Sequence, residues 1–264
     1  MSEQEAFYLP LGENEFESTA ATASPWDLAL QHGGPPSALL ARAVERCETT
    51  DSMPIAQMTV DFLGGIPQGR IRTAARVVKP GKRVELVEAT MWANDKLAVR
   101  ANAWRIRRQD DATAKVATPA LVAPPIPEAS PPRFFDGLSE DWGYGNAIDW
   151  RFVEGGYNEP GPASVWTRVK LPLVADEETS PVQRLLIVAD STNGLSSEMS
   201  LTEWLFIPPA LSVTIQRAPQ SEWLLLDAAS TIGPHGTGIA QGTVSDSYGL
   251  VSRITQPLLV ASRG

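Results

Sequence analysis

The chain has 264 residues, of which 43% are hydrophobic and 20% charged, a globular balance that excludes wholesale disorder. Asp and Glu number 31 against 22 Lys and Arg, and the net charge of −9 argues against holding nucleic acid through a general electrostatic field. A single cysteine, Cys47, excludes an internal disulfide and a Cys-based metal cage, and the two histidines, His32 and His235, leave few candidates for His-rich sites.

The chain begins MSEQEAFYLPLGENEF, which is polar and acidic and does not read as a secretory leader. No apolar run approaches the ~18 residues of a membrane span, so a cytoplasmic protein is expected. Pro35 and Pro36 then precede an Ala/Leu-rich run ending at Cys47. Prolines at the entrance and Leu39, Leu40, Ala43, Val44 and Cys47 at helical spacing predict a helix near 36–47. Four strand-like runs follow, 56–63, 70–78, 83–92 and 97–107, separated by turn signals such as Pro80-Gly81 and Asn94-Asp95.

Residues 118–132 read TPALVAPPIPEASPP. Six prolines exclude a helix or a central strand and predict a stiff connector between an N-terminal half, 1–117, and a C-terminal half, 133–264. The second half has a strand candidate at 164–171. Ser180-Pro181 then opens a helix that is apolar almost all round through Ala189. Strand candidates return at 211–217, 222–232, 238–245 and 250–261. Each half therefore reads as a helix followed by an antiparallel meander. Thr90…Leu97-Ala-Val-Arg100 also matches Thr243…Leu250-Val-Ser-Arg253 at a constant offset, which suggests an internal duplication.

Two polar residues sit in apolar surroundings. Asp190 ends the run Leu185-Leu-Ile-Val-Ala189. Burial and the negative end of a helix dipole both raise a carboxyl pKa there, which suits a base; a cap built with Ser191, Thr192 and Asn193 is the other reading. Gln256 shares a strand face with Leu250, Ile254, Leu258 and Val260, so its amide needs a partner: Asp190, a water, a substrate or the backbone. The repeat offset puts Ala103 at the matching position of the first half, and a looser register puts Glu45, read as a solvated helix residue, near that of Asp190. The two halves are thus expected to be unequal.

A buried helix wrapped by an antiparallel sheet, repeated in one chain, resembles the double hotdog, an α+β fold with two central helices. His32-Gly33-Gly34 before the first helix, Asp190-Ser-Thr-Asn-Gly194, Glu222-Trp-Leu-Leu-Leu226 and Leu250-Val-Ser-Arg-Ile-Thr-Gln256 resemble, in this order, segments of bacterial acyl-CoA thioesterase II and its thioesterase-like relatives. The resemblance implies hydrolysis of acyl-CoA to free acid and CoA, in lipid metabolism, with Asp190 and Gln256 around a water. It implies no cofactor and no metal.

Substrate-binding positions are then His32, Gly33, Gly34, Asn193, Gly194 and Pro208. The chain departs from the family where relatives carry a polar third residue: here it reads Pro208-Pro209-Ala210, and Pro35 replaces a glutamine after the Gly-Gly pair. A non-catalytic acyl or acyl-CoA binding protein with a decayed site is the alternative. Free N–H groups at the first helix start are expected to polarise the thioester carbonyl. Arg105–Arg108 and Lys79–Arg83 read either as contacts for CoA phosphates or as solvated strand ends and turns. Homo-oligomers are left open.

Overall fold

The structure is a computed structural model, and it describes residues 6–48, 53–109, 122–129, 131 and 134–263. The proline-rich connector read at 118–132 lies partly outside these residues. Strands β1 (Tyr8–Pro10) and β2 (Glu15–Ser18) come first, followed by helix α1 (Gly34–Arg46). Strands β3 (Ile55–Phe62), β4 (Arg70–Lys79), β5 (Val84–Ala93) and β6 (Lys96–Ile106) complete the first half. The second half has α2 (Gly143–Asn146), β7 (Ile148–Gly156), β8 (Glu159–Val169), α3 (Pro181–Ala189) and α4 (Thr192–Leu195). It ends with β9 (Trp204–Ile207), β10 (Ala210–Ile215), β11 (Leu224–Ile232), β12 (Thr237–Asp246) and β13 (Gly249–Ser262).

The strands join in one antiparallel sheet in the order β1-β2-β4-β5-β6-β3-β10-β13-β12-β11-β8-β7, with β9 also on β13. The order is the same read from either end toward the central β3–β10 pair. Val87 pairs with Ala103 as Ala240 pairs with Gln256, and both pairings shift register at the matching place, Met91/Trp92 and Val244/Ser245. The duplication legible in the sequence is thus repeated in the hydrogen-bond register.

The plain meander is corrected. β3 pairs with β6 instead of β4, because the chain leaves it through Gly64-Gly65-Ile-Pro-Gln-Gly69, too long and too irregular for a tight hairpin. Gly64 and Gly69 take the positive φ values that such a crossover requires. Each half also carries a hairpin before its helix, β1–β2 and β7–β8. β1 and β2, of three and four residues, leave too short a pattern to read, whereas β8 overlaps the strand expected at 164–171 and the nine-residue β7 was not expected.

Helix α1 opens with Gly33 as N-cap and prolines in its first turn, and buries every residue from Gly34 to Val44. Each buried Leu or Val contributes roughly 1.5–3 kcal/mol. Arg105 stops the helix from below, donating to the carbonyls of Val44 and Cys47 while pairing with Glu85. It is 2% exposed, so the CoA-phosphate and solvated readings of this arginine both give way to a helix C-cap. Helix α3 opens with a Ser180–Gln183 capping box and ends at Asp190.

The two helices run antiparallel and pack on each other. A Cβ on Gly34 would lie 2.1 Å from the Ile187 carbonyl oxygen, and at the other end Glu45 accepts from Ser180 Oγ (2.8 Å) and Gln183 Nε2 (2.7 Å). Glu45 is exposed, yet it is tied to the start of α3 instead of free in solvent. One apolar core, including Leu39, Leu40, Val87, Val213, Leu186 and Ile254, runs through both halves.

Candidate active site

The end of α3 presses against the start of α1, and the site forms there. Asp190 is the C-cap of α3, with its side chain 8% exposed. Gln256, fully buried on β13, donates from Nε2 to Asp190 Oδ1 at 2.9 Å and accepts at Oε1 from the Asn193 N–H at 3.1 Å. The Gly33 N–H is turned toward the same carboxylate, and a Cβ on Gly33 would come within 2.6 Å of Asp190 Oδ2. Burial pushes the Asp190 carboxyl up to about 7, with the Gln256 and Gly33 donors pulling in the opposite direction.

His32 Nδ1 lies 3.6 Å from Asp190 Oδ2. This contact is not an ion pair. Burial holds the imidazole pKa down at about 3, and Nδ1 accepts the Gly34 N–H at 3.1 Å. The ring stacks on Tyr144 with centroids 3.8 Å apart and planes 12° from parallel. Tyr144 donates its proton to the Ile187 carbonyl, so the Ser191 hydroxyl, 2.8 Å away, donates to Tyr144.

A cavity of about 380 Å³ opens beside these groups. Both halves line it: His32, Gly33, Phe62 and Ile66 from the first, Asp190, Asn193, Gly194 and Leu259 from the second. Trp26, Phe135, Trp142 and Tyr157 form an aromatic wall, so the space suits an apolar chain with its polar end at Asp190. At the matching end of the helix pair, Glu45, Ser180 and Gln183 bond to one another, and Ala103 stands where the second half has Gln256. The polar set is built at one end of the pair.

Residues 22–106 match the family model described as the acyl-CoA thioesterase N-terminal domain, and residues 123–260 match the corresponding C-terminal domain. The chain belongs to the acyl-CoA thioesterase family. By family it is a thioester hydrolase, as the order of motifs implied. Among solved structures it is similar to a hot dog fold protein of unknown function from Alicyclobacillus acidocaldarius (16% identity, 98% of this chain and 97% of that one, TM-score 0.74). It is also similar to acyl-CoA thioesterase II TesB2 from Mycobacterium marinum (18% identity, 97% and 95%, TM-score 0.64). The tesB protein of Mycobacterium avium subs paratuberculosis is a third (18% identity, 96% and 95%, TM-score 0.66). These likenesses show a hotdog-type fold. No curated protein matches the chain. Among the described residues, no helix is long and apolar enough to cross a membrane.

All eight residues singled out from the sequence meet at this place, in different situations. Asp190 and Gln256 touch. His32, Gly33, Asn193, Gly194 and Pro208 line the cavity, and Gly34 lies behind them against α3. The Asn193 side chain is engaged by the Phe206 carbonyl at 2.9 Å and pins the start of β9. The expectation of free N–H groups at the α1 start is corrected. Pro35 and Pro36 have none, the Gly34 N–H bonds His32, and the Gly33 N–H faces Asp190. The aromatic wall and the Tyr144 stack carried no signal in the sequence beyond a high tryptophan count.

Proposed function

We propose that the chain hydrolyses acyl-CoA thioesters through a water activated by Asp190, with Gln256 holding the carboxylate in place, inside a double hotdog of two central helices with halves 1–117 and 133–264. The observation that carries this reading is a desolvated carboxylate, bonded to Gln256 at 2.9 Å, at the polar end of an apolar cavity. A carboxyl pKa near 7 suits a general base at neutral pH, because it is partly deprotonated and still basic. The test is thiol release from a panel of acyl-CoA esters of short to long chain. Turnover of at least one is expected, with kcat/KM rising with pH around a midpoint near 7. Binding of acyl-CoA without release of thiol would replace this reading with the non-catalytic one.

Two substitutions extend the test. Gln256→Leu removes a donor that holds the Asp190 pKa down, so the midpoint of the pH profile should move to higher pH. It also strands the Asn193 N–H, a loss of about 1–3 kcal/mol that thermal unfolding should register. Gly194→Ala adds a methyl group to the cavity wall, 3.4 Å from Phe135 Cζ. It should lower kcat/KM for the longest accepted acyl chain by roughly tenfold relative to a short one, the scale of one methylene in an apolar pocket.

A further inference from the structure

Thioester hydrolysis needs a donor for the carbonyl oxygen as well as a base for the water. The usual supply in such a place, a helix N-terminus, is committed here. The Gly34 N–H goes to His32, the Gly33 N–H faces Asp190, the Ser37 N–H goes to the Gly33 carbonyl, and Pro35 and Pro36 have no N–H. Several polar side chains of the cavity wall are also tied to the protein: Gln31 donates to the Pro67 carbonyl, Asn193 to the Phe206 carbonyl, Ser191 to Tyr144 and Trp142 to the Ala23 carbonyl. The Tyr157 hydroxyl is sealed from solvent without a partner, and the Ser24 hydroxyl accepts the Trp26 N–H.

His32 is the lining side chain that stands beside the base, its Nδ1 3.6 Å from Asp190 Oδ2. Because Nδ1 accepts the Gly34 N–H, a neutral imidazole must carry its proton on Nε2. Nε2 has no acceptor among the described residues, and it is not one of the polar atoms sealed from solvent without a partner. The side chain is 10% exposed and lines the cavity. The stack on Tyr144 fixes the ring plane, and the Gly34 bond fixes its tilt. A rigid N–H therefore belongs to a ring that lines the cavity and holds its other nitrogen 3.6 Å from the Asp190 carboxylate.

We propose that the Nε2–H of His32 is the catalytic donor that binds the thioester carbonyl and the oxyanion formed from it. This rests on the water mechanism above. Asp190 takes a proton from water as the hydroxide oxygen bonds the carbonyl carbon, and the C=O electron pair moves onto oxygen, where Nε2–H stabilises it. The pair then returns, the C–S bond breaks, and the thiolate takes the proton held by Asp190. The products are free acid and the thiol of CoA, with His32 unchanged. A neutral donor suits this role, because the ring neither competes with Asp190 for the water proton nor neutralises the carboxylate.

The experiment uses His32→Phe, which keeps a stacking ring, and His32→Gln, whose amide offers an N–H in place of the ring's. Substrate is the acyl-CoA that the native chain turns over fastest, and the binding probe is the matching S-alkyl-CoA thioether, which has no carbonyl. The Phe variant should lose about 10²–10³-fold in kcat, as removal of one oxyanion donor does. Thioether affinity should stay at the native value, the Gln variant should regain part of the rate, and the pH midpoint should stay near 7. A Phe variant with native kcat overturns the proposal and leaves the Asp190 mechanism standing. Equal loss of rate and of thioether affinity in both variants overturns it in favour of a structural histidine. If the Phe variant fails to fold, the carbonyl stretch of substrate bound to Asp190→Asn decides. A shift to lower frequency that disappears on adding His32→Gln or is weakened by it supports the proposal; no shift overturns it. A native chain with no turnover on any acyl-CoA overturns both readings.

Discussion

Asp190→Asn lowers kcat about 10²–10⁴-fold, the range for loss of a general base, while the fold remains. Asparagine has nearly the volume of aspartate, so the end of α3 keeps its packing against α1. The chemistry changes because an amide has no basic oxygen pair to take a proton from water. The check is kcat and thermal midpoint on one preparation. Unchanged kcat would remove Asp190 from the mechanism. A lower midpoint with native turnover per folded molecule would make it a structural cap.

The same variant has a pH signature in stability. The Asp190 carboxyl is near 3.8 in the unfolded chain and about 7 in the folded one. Between these values the folded state binds more protons, so stability falls as pH rises through the window and is lowest above 7. For this residue the whole effect is on the order of 4 kcal/mol, since each pKa unit corresponds to about 1.4 kcal/mol. Asparagine lacks that slope. It has only one acceptor oxygen for the donors at Gln256 and Gly33, and this adds a loss that does not vary with pH. The diagnostic is therefore the difference in thermal midpoint between variant and native protein, which should move in favour of the variant from pH 4 to pH 8. A constant difference would mean that the carboxyl titrates normally.

Residues whose role is set by their own segment were legible in the sequence. The long strands showed because one face of each is buried, which enforces an alternating pattern that single residues reveal. Asp190 and Gln256 showed for the opposite reason, as polar groups in positions the pattern reserves for apolar ones. His32 could be placed but not understood. Its tautomer depends on the Gly34 N–H, its orientation on Tyr144, and its openness on a cavity walled by Trp26, Phe135 and Tyr157. The Gly34 bond is local, but the Tyr144 stack and the wall from Phe135 and Tyr157 join segments far apart in the chain, and nothing local announces them. Arg105 misled for the same reason. On a strand it reads as a surface cation, and only the end of α1 packed beneath it makes it a cap.

Gly34→Ala should unfold the chain at a lower temperature and remove activity together. The new Cβ would stand 2.1 Å from the Ile187 carbonyl oxygen, a backbone atom that no rotamer change can move. Alanine's better helix propensity returns at most about 1 kcal/mol. Overpacking of this kind costs about 1–3 kcal/mol or more, so the clash prevails and the two helices must separate. At roughly 2–4 °C per kcal/mol for a domain of about this size, the midpoint should fall by several degrees. Separation also moves the end of α3, and Asp190 with it, away from Gly33 and His32. Gly33→Ala makes the informative contrast. Its Cβ would meet Asp190 Oδ2 at 2.6 Å and the Phe62 ring at 2.7 Å, both side-chain atoms that can swing aside. That variant should keep most of its thermal midpoint and lose most of its kcat, because the carboxylate is displaced while the helix crossing stays. If both glycine variants kept native midpoints and native kcat, the close approach of α1 and α3 would not be what positions the base.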